Sequence, residues 1–282
     1  MEKILLDSYF NFFDTHIKDL TKFFQTNEIQ NKINQLDSLI KIYMKSHYVK
    51  SHNLILSLFL LARGINEYKL PDEAKIIFRS LFEHILNFMY IFSKDNDDEK
   101  IKLIQEYNNF FKIQPFKFAY NMSKITITKE TSEIKKMMCS NAQKICMDNN
   151  LEELFRNFYK KCKKYKKNKN TWHGNTIQNL IIKISEKYGD EFLLFEKYYS
   201  AGNLYTHCNV MNYINEKGII EGNASLINVL DTLDKGLSFY ISYIDWFYRC
   251  IGIKIFEDIF PKVLENHNLI EDNYEKLKQS KS

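Results

Sequence analysis

Only eight glycines and three prolines interrupt 282 residues. Glycine supplies the positive φ of tight turns and proline ends helices, so a chain this poor in both has few places to reverse and favours long elements. With 45% hydrophobic and 15% aromatic residues, it can bury a substantial core without disulfides or metals. The expected fold is all-α, an irregular multi-helix bundle.

Apolar periodicity places the elements. Ile4, Leu5, Tyr9, Phe12, Phe13, Ile17, Leu20 and Phe24 recur at helical spacing over residues 1–24. A second helix is expected from Asn27 to Ser46 and a third from Tyr48 to Tyr68, whose Leu54 to Leu61 segment shows no solvent face. Pro71-Asp72-Glu73 opens a helix that runs to Ser93, with proline preset for the first turn and two acids facing the N-terminal dipole. This helix is apolar nearly all round, so it is expected to be the buried central element, at about residues 71–93.

Asp95 to Gln114, ending before Pro115, then Thr128 to Met147, Leu151 to Tyr165, Thr176 to Tyr188, Asp190 to Tyr213 and Leu226 to Ile251 complete the helical set. Ile125 to Thr128 alternates but is too short to seed a sheet, and no repeat period is visible. One domain over 1–267 is expected, with a charged excursion at about 121–170 and a polar, frayed tail at 268–282.

The five cysteines, Cys139, Cys146, Cys162, Cys208 and Cys250, form no C-x-x-C pair and fit a reducing cytoplasm. Glu2 and Asp7 break any signal-peptide pattern. The longest apolar stretch, Leu54 to Ala62, falls far short of the ~20 residues that span a bilayer. A cytoplasmic protein without membrane contact is expected. The net charge of +5 accompanies heavy use of Asn, Ile, Tyr and Phe, the usage of AT-rich coding sequence, so clustering of lysines says more than their total.

Three groups of polar residues stand out. Arg79 and Glu83 lie four apart on the helix expected to be buried, where they share a face. They are either an ion pair locking two helices or a guanidinium held ready for an anionic ligand. Tyr199, Asn203 and His207 fall at i, i+4 and i+8 on another helix. There His207 is either a satisfied core residue or an imidazole whose tautomer Tyr199 and Asn203 fix for proton transfer.

The third group is Lys160, Lys161, Lys163, Lys164, Lys166, Lys167 and Lys169, followed by Trp172-His173-Gly174. Lysines can hold phosphates while bases stack on Trp172 and His173. The plain alternative is a solvated lysine loop anchored by one buried tryptophan.

Arg79 and His84 together resemble the Arg-x-x-x-x-His signature of the HEPN ribonucleases, helical enzymes that cut RNA without metal. That resemblance implies a homodimer whose subunits share a composite site, with histidine moving protons and arginine stabilising phosphorane charge. On a regular helix the two residues lie about 140° apart.

Arg79-Ser80-Leu81-Phe82-Glu83, Trp172-His173-Gly174, and Tyr199 with Asn203 and His207 together resemble a bacterial all-helical family known as a domain of unknown function. Its motifs are Arg-x-x-x-Glu, Trp-x-Gly and Tyr-x-x-x-Ser-x-x-x-His. The resemblance spans roughly residues 50–215 and implies that Arg79, Glu83, Trp172, Tyr199, Asn203 and His207 meet in one pocket. Asn203 stands where that family has serine, which keeps a hydrogen-bonding group but no nucleophilic hydroxyl. In general layout such families resemble helical nucleases and antiphage effectors.

Two functions follow as expectations. One is a metal-independent ribonuclease or related phosphodiester-cleaving effector, with phage defence as its setting, that uses Arg79, Glu83, Tyr199, Asn203, His207 and His84. The alternative is a non-catalytic module binding RNA, a nucleotide or a protein through Lys163, Lys164, Lys166, Lys167, Trp172 and His173. No cofactor is implied, and metal chemistry is disfavoured because no H-x-x-x-H or E-x-x-H spacing occurs.

Overall fold

The computed structural model describes residues 2–64, 71–123, 149–165, 171–189 and 226–280, with scattered positions between 133 and 147. In chain order the helices are α1 (Glu2–Phe12), α2 (Lys18–Phe24), α3 (Asn27–Asn34), α4 (Ser38–Arg63), α5 (Pro71–Phe92), α6 (Asp97–Ser123), α7 (Asn149–Lys164), α8 (Ile177–Tyr188), α9 (Leu226–Arg249) and α10 (Pro261–Gln279). No strand occurs among the described residues, and the fold is all-α. The expected helices at 128–147 and 190–213 fall largely or wholly outside the described residues. Among the described residues no helix is long and apolar enough to cross a membrane.

Packing groups the chain into two compact units, Met1–Ser93 with Ile181–Ser282, and Lys94–Leu180. In the first, a π-helical turn at Phe13–Ile17 joins α1 to α2. The turn keeps Tyr9, Phe12, Phe13, Ile17, Leu20 and Phe24 buried along one continuous run. Ile4, expected on the same face, is exposed.

The expected break between Ser46 and Tyr48 is absent, because His47 and Tyr48 are buried in the middle of α4. The chain breaks instead just before Asp37, whose carboxylate accepts hydrogen bonds from the Leu39 amide at 2.8 Å and the Ile40 amide at 3.4 Å. Such a cap satisfies donors that the first turn leaves orphaned, so it fixes where the helix starts.

Helices α4, α5 and α9 pack on one another to form the centre of this unit. From α5 the core receives Phe78, Leu81, Phe82, Ile85, Leu86 and Phe88. The helix is not sealed all round: Ile76 and Ser80 are exposed, and Arg79, Glu83 and Asn87 are half-buried. Leu60 on α4 is likewise exposed, against the expectation for Leu54 to Leu61. Gly236 on α9 lies against α4, where a Cβ would collide with the Leu58 side chain.

A second π-helical turn, Ile255–Ile259, leads into α10, which packs on α1. Val263, His267, Ile270, Tyr274 and Leu277 are buried at spacings of four, three, four and three. The tail expected to fray is therefore helical to Gln279. Its polar composition belongs to the outer face alone.

In the unit Lys94–Leu180, α6 and α7 pair through Phe110, Phe116, Phe155 and Phe158. Helix α6 continues through Pro115, where the sequence predicted its end. Proline costs one hydrogen bond to the preceding turn. Ile113, Phe116 and Ala119, all buried, hold the helix together across it.

Candidate functional site

Residues Thr171 to Asn175 form a tight turn ahead of α8. Gly174 adopts φ 71°, a conformation that a Cβ would strain, which is why the turn ends on glycine. The Gly174 amide donates to the Thr171 carbonyl at 3.2 Å, and the Thr171 hydroxyl donates to the Asn175 carbonyl at 2.8 Å. His173 is locked in by accepting the Asn175 amide on Nδ1 at 3.1 Å, which places its proton on Nε2.

Within this frame Trp172 points inward. It is only 6% exposed and meets the Tyr107 ring edge-on at 5.4 Å. Of the two readings of this segment, a stacking platform or a lysine loop anchored by a buried tryptophan, the burial of Trp172 and His173 matches the second, and Trp172 is a wall.

What it walls is a cavity of about 190 Å³ between α6 and α7. Phe110 and Phe158, with ring centroids 5.4 Å apart, line it together with Trp172, Gly174 and the buried Cys162 thiol. Four polar side chains complete the lining, Glu106 and Asn109 from α6 and Asn157 and Lys161 from α7. Their spacings of three and four residues put each pair on one helix face. Lys161 donates to Glu106 at 2.7 Å.

Helix α7 is strongly amphipathic. Its inner face carries Leu154, Phe155, Phe158 and Cys162, while Lys160, Lys161, Lys163 and Lys164 are exposed. Lys160, Lys163 and Lys164 form no ion pair with any described carboxylate, and the Lys164 ammonium lies 5.1 Å from the centre of the Tyr165 ring. Lys166, Lys167 and Lys169 lie outside the described residues.

Arg79 and Glu83 meet as their spacing predicts, with Nε 2.9 Å from Oε1. Burial is the correction: the side chains retain 23% and 38% of their exposure, so this is not a sealed core pair. Tyr199, Asn203 and His207 lie outside the described residues, as does any meeting of the six expected pocket residues. Arg79 and Glu83 belong to one unit and Trp172 to the other.

His84 is the second correction. Its ring turns away from Arg79 into the core and stacks on His47 of α4, centroids 3.6 Å apart and planes 6° from parallel. The two imidazoles are reciprocally bonded, His47 Nε2 donating to the His84 carbonyl at 2.8 Å and His84 Nε2 to the His47 carbonyl at 3.3 Å. Both protons therefore sit on Nε2. The Tyr243 hydroxyl of α9 completes the set by donating to His47 Nδ1 at 3.1 Å.

Burial, and after it the Lys50 ammonium, pushes His84 down to about 4. Burial and then His84 hold His47 well below 6.5. Among the described residues His84 is thus buried, with its Nε2 proton committed to a backbone carbonyl. His47 gives no signal in the sequence, because one histidine inside a 26-residue helix reads like any core position.

No curated protein and no solved structure matches this chain. A family model covers residues 41–220, a span that contains Arg79, Glu83, Trp172, Tyr199, Asn203 and His207. On that match, extending over more than half its length, the chain belongs to the family of unknown function DUF5677.

Proposed function

We propose that this protein is a non-catalytic helical module that binds RNA through the unit Lys94–Leu180. The observation that carries the reading is the run of exposed lysines closing α7, on the same helix that lines the Trp172 cavity. One or two cations at a helix C-terminus complement the dipole, an effect of about 0.3–1 kcal/mol each. Four within five positions, followed in sequence by Lys166, Lys167 and Lys169, repel one another beyond that need. A polyanion relieves the repulsion and releases its own counterions on binding.

The test is binding of single-stranded RNA across a range of salt. Replacing Lys163, Lys164, Lys166 and Lys167 with Gln should weaken binding and flatten its salt dependence by roughly one unit of slope for each phosphate no longer held. Unchanged affinity and slope would sink the reading.

A second reading, the metal-independent ribonuclease, is favoured by the Arg79 guanidinium, which Glu83 orients on the half-exposed edge of α5. Incubation with total RNA in EDTA separates the two. Cleavage that disappears in an Arg79→Ala, His207→Ala double variant would put the enzyme in place of the module.

A further inference from the structure

We infer that the cavity between α6 and α7 receives a single nucleobase, edge-on to Asn109 and Asn157, with the attached phosphate at Lys161. Binding of a polymer there rests on the RNA reading above; the base-binding chemistry does not.

Size sets the first limit. At about 190 Å³ the space exceeds the ~150 Å³ that admits a benzene ring, yet falls short of the ~300–1,000 Å³ of drug-sized pockets. One planar ring system fits. The walls set the second: Phe110, Phe158 and Trp172 line the space with aromatic surface, on which bases gain stacking energy whatever their identity.

The polar groups then exclude a purely apolar guest. Asn109 and Asn157 are both exposed, one on each helix, and neither side chain hydrogen-bonds another described residue. Each amide offers two donors and an acceptor, the combination that the edge of any base can answer. Lys161 supplies the cation for a phosphate. Glu106, 2.7 Å from it, is the group that the phosphate must displace, and its charge argues against a bare inorganic anion as the guest.

The shared chemistry, a base carrying a phosphate, has two sources: a free mononucleotide, or one unpaired nucleotide of an RNA strand. The experiment uses the full-length protein and measures affinity for the four 5′-mononucleotides, for inorganic phosphate, for a single-stranded 12-mer, for its abasic counterpart and for a duplex. An Asn109→Ala, Asn157→Ala double variant alters exposed positions only and should fold as the parent does. It is expected to lose about tenfold in affinity for the base-bearing strand and nothing for the abasic strand or the duplex. Glu106→Gln should tighten phosphate-bearing ligands several-fold while leaving nucleosides unchanged.

Should the abasic strand bind as tightly as the base-bearing one, and the double variant be silent, the inference is overturned while lysine-dependent RNA binding stands. Should no RNA bind, the module reading fails. In that case Asn-dependent mononucleotide binding upholds the cavity assignment with a free nucleotide as its guest, and no mononucleotide binding overturns it.

Discussion

Two imidazoles whose ring centres lie 3.6 Å apart in a buried core stay there only while both are neutral. The unfolded chain has no such restriction. Between 6.5 and about 4, unfolded His84 takes a proton that folded His84 refuses, so stability is full above 6.5 and drains away as pH falls through that window. The gap is worth ~3 kcal/mol, and His47, shifted in the same direction, adds to it. Urea midpoints compared at pH 7.5 and 4.5 should show this loss, and a His84→Phe variant should show less of it. A midpoint that does not move between the two pH values would mean the pair is not neutral at the start. Arg79 makes the opposite case among charged residues. With 23% and 38% of their exposure retained, Arg79 and Glu83 form a half-buried pair, between the exposed i,i+4 kind, worth about 0.3–0.5 kcal/mol, and a sealed one. Arg79→Ala should therefore lower stability by less than the ~3–5 kcal/mol that removing one partner of a sealed pair costs, and a loss of that full size would identify a sealed pair.

Elements are legible where one local signal dominates. Pro71 with Asp72 and Glu73 announces the start of α5, and the apolar run behind it announces a core helix. Boundaries fail where a cap or distant packing outweighs the pattern. The Asp37 cap is visible in the letters, yet periodicity favours a break near Ser46, and the polar letters of α10 hide its buried stripe from Val263 to Leu277. Candidate-site residues divide in the same way. Trp172 and Gly174 are readable as a turn, but their inward direction is not, because whether a tryptophan is a platform or a wall depends on Tyr107 and Phe158, which no motif connects to it. The polar frame of Glu106, Asn109, Asn157 and Lys161 escapes a reading of the letters because its halves sit on two helices and become a set only once these pair. Pro115 offers a direct test at this scale. If packing alone carries α6 across it, Pro115→Ala restores the missing amide and improves propensity, by up to ~3 kcal/mol. The melting temperature should rise. A fall would show that a bend at Pro115 is needed to seat Phe116 and Ala119.

At the scale of the molecule, the family match and the core do not coincide. The matched span ends at residue 220, but α9, one of the three central helices of its unit, begins at Leu226. What α9 contributes is specific. Phe239 lies 4.9 Å from Phe82 and Phe247 5.7 Å from Phe88, Tyr243 satisfies His47, and Gly236 admits Leu58. Removing it would expose the apolar faces of α4 and α5 and leave the buried His47 Nδ1 without its tyrosine donor. Each fully buried phenylalanine side chain so uncovered loses about 1.5–3 kcal/mol, and several are involved in a protein whose net stability is of order 5–15 kcal/mol. A fragment of residues 41–220 should therefore retain much of its far-UV helical signal, because local helix propensity survives, yet lose near-UV dichroism and cooperative thermal unfolding in the α4–α5 region. It should also bind a hydrophobic dye. If that fragment instead melts cooperatively with intact near-UV dichroism, α9 is an addition to a core already complete, and the three-helix account of this unit is wrong.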